Sequence, residues 1–223
     1  LLELDEPVAR TIASWKQDPW KGRVTLRELL QLTGGIGFGG LGASVPLYEN
    51  ALAVELKNEP GRVFTYSGIP LQVFGAVLAR KLEKRRETPH EYLRERILAP
   101  MGLRIGSWRK LKDGSEPLPT GAFVAASEWL KYGVLLAAGG AVRGKKVVPE
   151  RALRACFEGS AANPRYGLAF WLSPPQTPPD LIYASGSGGQ ALYAVPSLDL
   201  AVVKFGASAS YKHEAFLKRL FGA

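Results

Sequence analysis

Cysteine is almost absent from this sequence: Cys156 stands alone among 223 residues. It has no internal disulfide partner, and inside the helical pattern of residues 151–157 it reads as a small buried hydrophobe. Histidine is nearly as scarce, with His90 and His213 both in stretches that read as polar and helical. A zinc site needs several clustered His, Cys or carboxylate ligands, so no structural or catalytic metal is expected. Long apolar runs are missing too: none approaches the roughly 18 residues that span a bilayer, so no transmembrane segment is expected. The sequence starts at Leu1 with no visible signal peptide, which leaves the compartment unreadable from this end.

What is present is ordinary for a globular protein: 46% hydrophobic and 22% charged residues, with 25 Gly and 16 Pro that predict many turns. The formal net charge of +9 is concentrated in Arg80–Arg86 and Arg143–Lys146. Basic side chains near a helix C-terminus complement its dipole without any ligand. No nucleic-acid motif accompanies the charge. A solvated helix end and a hairpin tip account for it, and no nucleic-acid partner is expected.

Along the chain, Thr25 followed three residues later by Glu28 predicts a capping box opening a short helix to Leu32. Helices are also expected over Ser44–Lys57, Ile69–Glu83, Thr88–Leu98 (with Pro89 at its first position), Ser127–Ala138 and Pro149–Phe157. A small hairpin is expected around Arg143-Gly144. From Tyr166 the pattern changes: Tyr166–Leu172 reads as a strand, and Leu181–Ala207 as paired strands turning at Pro196–Asp199. Tyr211–Phe221 closes the chain as an amphipathic helix. A helical region over 1–165 followed by antiparallel strands and a terminal helix over 166–223 predicts an α+β architecture.

Three motif matches fail on context. Gly35–Gly40 fits G-x-G-x-x-G, but a helix precedes it where a dinucleotide site needs a strand. Gly139–Lys145 fits a P-loop until Lys146 stands where Ser or Thr must bind magnesium. Ser107–Lys110 is an S-x-x-K, yet the Leu-Lys-Asp-Gly-Ser-Glu-Pro that follows cannot be a buried helix.

Six segments in order carry a resemblance through nearly the whole chain. They are Leu1–Val8, Val24–Gly35, Pro60–Gly68 (Pro-Gly-Arg-Val-Phe-Thr-Tyr-Ser-Gly), Pro100–Leu103, Tyr166–Trp171 and Ser187–Val203. Together they resemble the serine β-lactamase and penicillin-binding-protein superfamily, and within it the class C-type hydrolases and esterases. The resemblance implies a β-lactamase/transpeptidase-like fold and acyl transfer through an acyl-serine, with no cofactor. A serine hydroxyl needs a nearby base. The family supplies a Ser-x-x-Lys pair, a proton-shuttling Tyr matched by Tyr66, and a strand bearing an oxyanion-hole amide. Ser187, Gly188 and Gly189 match that strand motif, and Gln190 N–H would be the donor. The plain alternatives are a packed aromatic at Tyr66 and an edge strand whose glycines mark a bulge. Ser67 and Gly68 would line the substrate site beside Tyr66.

Three departures shape the expectation. Gly68 replaces the family's usual Asn, and Ser187 replaces its Lys or His. Both disfavour β-lactam turnover and point to an uncharged or atypical small-molecule or peptide ester or amide. The Ser-x-x-Lys helix would precede Leu1 in family order, so the expected object is one incomplete domain, inactive alone. The second expectation is a non-catalytic binding module of the same fold. Members of this family are often secreted or periplasmic, which leaves the localisation of this chain open.

Overall fold

The computed structural model describes residues 1–37, 44–208 and 210–222. They divide into two compact units: Leu1–Arg94 with Ser107–Phe123 and Ser160–Asn163, and Glu95–Gly106 with Val124–Gly159 and Pro164–Ala223.

In the first unit, helix α1 (Leu26–Leu30) starts where the capping box places it. Thr25 Oγ1 accepts from Glu28 N–H at 3.2 Å, and Glu28 Oε2 accepts from Thr25 N–H at 2.8 Å. The helix expected over Ser44–Lys57 is shorter, α2 being Tyr48–Ala53 with extended Leu47 and Val54 on either side. Pro46 blocks helix before it. The amides of Lys57 and Asn58 are instead committed to Gly35 O at 2.8 and 3.3 Å. Helix α3 (Ile69–Leu82) carries Pro70 in its first turn and is buried along Val73, Ala76 and Val77. These pack with Val8, Trp15 and Leu29 into one apolar cluster. Helix α4 (Pro89–Leu93) has a second capping box, Thr88 with Glu91; the π-helical turn Arg94–Leu98 that follows belongs, from Glu95 on, to the second unit. Two-residue strands β1 (Ser107–Trp108) and β2 (Ala122–Phe123) pair antiparallel.

In the second unit, α5 (Ala126–Ala137) ends at Gly139 and Gly140, both at positive φ. The chain enters a hairpin of β3 (Ala141–Val142) and β4 (Lys145–Lys146). Its turn residues Arg143 (φ 47°) and Gly144 (φ 76°) both have the left-handed backbone that a tight two-residue hairpin demands. Helix α6 (Glu150–Ala155) follows. Strands β5 (Trp171–Leu172), β6 (Ile182–Gly186), β7 (Gln190–Val195) and β8 (Leu200–Lys204) form one antiparallel sheet in sequence order. The strand expected over Tyr166–Leu172 is largely a turn, with Gly167 N–H bonded to Phe170 O and Ala169 at φ 61°; only an isolated Tyr166–Trp171 bridge extends β5. Helix α7 (His213–Phe221) closes the unit.

Alternation along the sheet buries both faces. Tyr183, Tyr193 and Val195 pack with Leu217 and Phe216 of α7. Ile182, Leu192 and Ala194 pack with Leu136 and Trp129 of α5. Helices with a separate antiparallel sheet make this the expected α+β fold. Among the described residues no helix is long and apolar enough to cross a membrane.

Candidate functional site

The glycine-rich residues of the second unit are the turn of a hairpin. Gly186 pairs with Gln190, Ser185 with Ala191 and Ala184 with Leu192. Ser187, Gly188 and Gly189 make the three-residue connection, with Gly188 at φ 73° and Gly189 at φ 76°. Left-handed backbone strains most side chains, and a Cβ on Gly188 or Gly189 would in addition meet Ala207 Cβ at 3.0 Å or Tyr211 Cδ1 at 2.7 Å. Ser185 through Gly188 and Gln190 are exposed, and Gly189 is half-buried. Strand β5 pairs with β6 only at Ile182 and Tyr183, so Ala184–Gly186 extend past it toward the tip. The hairpin therefore presents main chain bare of side chains at Gly188 and Gly189, leading into the first residue of β7.

The residues of the first unit lie on the approach to α3. Thr65 N–H donates to Leu32 O at 3.0 Å, which holds the segment extended beside residues 32–33. Tyr66 is half-buried, its ring 6.4 Å from that of Phe64. Ser67 is fully buried, and its Oγ accepts from Ile69 N–H at 3.1 Å. Gly68 is the N-cap of α3 and its carbonyl accepts from Gln72 N–H at 3.0 Å. Ser67 and Gly68 thus fix where the helix begins, and Tyr66 stands immediately before that rigid start. Tyr66, Ser67 and Gly68 belong to one unit and Ser187, Gly188, Gly189 and Gln190 to the other.

The rejected motifs have plain structural roles. Ser107 and Trp108 form β1, not a helix, and Lys110 Nζ lies 3.9 Å from the buried carboxylate of Glu116. Gly140 N–H caps α5 by donating to Leu135 O at 2.8 Å, as a helix-terminal glycine does. Gly39 and Gly40 of the G-x-G-x-x-G match lie outside the described residues. Within the basic clusters, Arg80 pairs with Glu49 at 2.7 Å and Lys81 with Glu6 at 2.5 Å. Cys156 is half-buried, its thiol donates to Ala152 O at 3.4 Å, and burial pushes its pKa up. Among the described residues no group of three His, Cys, Asp or Glu side chains could hold a metal.

His90 keeps a polar neighbour, its amide donating to Glu116 Oε2 at 2.9 Å, whereas His213 is not in the polar surroundings that the sequence suggests. His90 stacks on Trp108 at 4.9 Å, and His213 packs on Tyr183 at 4.5 Å and Tyr193 at 5.5 Å. Tyr193 Oη meets both His213 Nδ1 at 2.8 Å and Tyr211 Oη at 2.5 Å. This cluster adjoins the glycine turn and is not apparent from the sequence. The available signal was Tyr193 at an inward position of β7 and the close spacing of Tyr211 and His213.

The α+β fold is shared with proteins of known structure. The Beta-lactamase family profile matches residues 1–219, and the chain belongs to that family, within the serine β-lactamase and penicillin-binding-protein superfamily. No curated protein matches it. Among solved structures it is similar to a putative 6-aminohexanoate-dimer hydrolase from Bacillus anthracis, with 18% identity and a TM-score of 0.72 over 96% of this chain and 63% of that one. A family VIII carboxylesterase gives 14% identity and a TM-score of 0.72, with 96% of this chain and 74% of the other covered. A class C β-lactamase from Rhodobacter sphaeroides gives 17% identity and a TM-score of 0.68, covering 99% and 77%.

Proposed function

We propose that this chain is part of a serine hydrolase that attacks an ester or amide carbonyl through an acyl-serine intermediate. In this reading Gln190 N–H donates to the developing oxyanion, and Tyr66 assists proton transfer to and from the nucleophile. Gly188 and Gly189 let the substrate carbonyl approach the backbone, while Ser67, Gly68 and Ser187 line the pocket. The observation that carries the reading is the hairpin tip: exposed backbone, free of side chains at two left-handed glycines, entering β7 at Gln190. Such donors act because they are fixed before charge develops on the oxygen.

The sole Ser-x-x-Lys of the chain lies on β1, so Ser107 is not the proposed nucleophile. The reaction belongs, in this proposal, to a longer protein that carries a helical Ser-x-x-Lys. The longer solved relatives are in keeping with that. Gly68 offers no side-chain amide and Ser187 no charge, which favours an uncharged substrate such as a simple ester or a linear amide over a carboxylate-bearing β-lactam.

The test compares two proteins. The 223-residue chain should neither hydrolyse p-nitrophenyl esters nor be labelled by a serine-directed phosphonate. The longer protein should do both, and Tyr66→Phe in it should lower kcat by about 10²-fold or more, the usual scale for losing a proton-transfer group. Full turnover by Tyr66→Phe would remove that residue from the mechanism. A longer protein with an intact Ser-x-x-Lys that binds peptide but turns nothing over would favour a non-catalytic binding module.

A further inference from the structure

The loop after β8 returns to the glycine turn. Ser208 N–H donates to Gly188 O at 3.0 Å. A Cβ placed on Gly189 would lie 2.7 Å from Tyr211 Cδ1 and 3.3 Å from its Cβ and Cγ, so the backbone of Gly189 rests directly on the Tyr211 ring. That ring is held in turn: Lys204 Nζ lies 4.7 Å from its centroid, the Phe216 ring 6.0 Å away, and its hydroxyl bonds to Tyr193. Tyr193 is 1% exposed in the middle of β7, and its oxygen also meets His213 Nδ1. His213 Nε2 is buried with no hydrogen-bond partner among the described residues. A continuous line of contacts therefore runs from the first residue of α7 through Tyr193 and Tyr211 to Gly189.

We propose that Tyr211 is a positioning residue that sets the Gly188–Gly189–Gln190 turn, and that Tyr193 links its hydroxyl to the protonation of His213. The functional meaning of this coupling rests on the turn being the oxyanion wall; the coupling itself does not. With a neutral imidazole, the two hydroxyl protons can be ordered along the line in either direction. An imidazolium carries donors on both nitrogens, so Nδ1–H must give to Tyr193 Oη. Tyr193 must then point its own proton at Tyr211, and the Tyr211 proton must turn away. One protonation at His213 thus fixes the direction of the hydroxyl on the ring against which Gly189 rests.

The groups around the imidazole set where this happens. Tyr183 faces it from β6 and Tyr193 from β7; Lys204 of β8 lies over the neighbouring Tyr211 ring, and Lys212 and Glu214 flank it along the chain. Burial disfavours the charged ring and outweighs the attraction of Glu214, so His213 is neutral at neutral pH and the change falls on the acid side.

The experiment is an NMR titration of the 223-residue protein from about pH 8 to about pH 4.5, a range that brackets the ordinary imidazole pKa. The amide resonances of Gly188, Gly189 and Gln190 should move with the midpoint of the His213 ring signals. Tyr211→Phe keeps the ring against Gly189 and removes only the hydroxyl; His213 should still titrate while the turn amides no longer follow. His213→Gln should leave the turn folded and abolish the step. The proposal is overturned if the turn amides of the unsubstituted protein ignore His213, or if they follow it unchanged in Tyr211→Phe. Neither readout depends on hydrolysis, so failure of the hydrolase reading would leave this result standing, and the reverse.

Discussion

Lys81→Met tests whether α3 is held at its far end by a buried ion pair. The Glu6 carboxylate is 4% exposed and lies 2.5 Å from Lys81 Nζ, itself only 18% exposed. Arg10 Nη1 reaches the same carboxylate at 3.4 Å but is 64% exposed. Met preserves most of the aliphatic stem and its packing, so the substitution removes chiefly the charge. Breaking a buried pair from one side costs about 3–5 kcal/mol, because the remaining ion stays out of water without compensation. Arg10 remains as a partial counter-ion, which places the loss at the lower end, about 3 kcal/mol. With a urea slope of about 2 kcal/mol per molar, the unfolding midpoint should fall by about 1.5 M. Adding Glu6→Gln in the Lys81→Met background removes the stranded charge and should restore at least half of the loss. A loss below about 1 kcal/mol, with no coupling between the two sites, would refute the reasoning. The consequence reaches the candidate site, since the opposite end of α3 begins at Ile69, three residues after Tyr66.

Two further outcomes follow from local features. Thr25→Ala removes one half of the capping box of α1 and should cost about 1 kcal/mol in thermal or urea unfolding, with Thr25→Ser recovering most of it. His213 has a folded-state pKa below its unfolded value because of burial, so the unfolded chain binds the proton more readily. Its contribution to stability is fully present above about pH 6.5 and is lost as pH falls through the folded-state value. Unfolding midpoints measured across that range should therefore drop on the acid side, and His213→Gln should flatten that part of the profile.

Features that depend on neighbours in sequence were legible, and features that depend on distant partners were not. Thr25 with Glu28 and Thr88 with Glu91 announce their helices because both halves of each cap lie within one turn. Arg143-Gly144 announces its hairpin, and the apolar, β-branched and aromatic run of Leu181–Ala207 with its turn at Pro196–Asp199 gives the paired strands. The helix expected over Ser44–Lys57 is shorter because the competing acceptor, Gly35 O, lies more than twenty residues away from the amides it takes. The surroundings of His213 are hidden for the same reason: they are rings contributed by Tyr183 and Tyr193, invisible in its own helix.

The candidate site shows the same limit in sharper form. A side chain of the kind proposed at Tyr66 declares itself by its type. An oxyanion donor of the kind proposed for Gln190 is a main-chain N–H, which every residue but proline possesses. The only trace such a group leaves in a sequence is the removal of side chains around it, and Gly188 and Gly189 supply that trace. They do not tell what holds the bare backbone still, and a turn built from two left-handed glycines has little stiffness of its own. The stiffness must come from a packed surface behind it. Here that surface is the Tyr211 ring, which the sequence reads only as the first residue of the closing amphipathic helix and the structure places just before that helix.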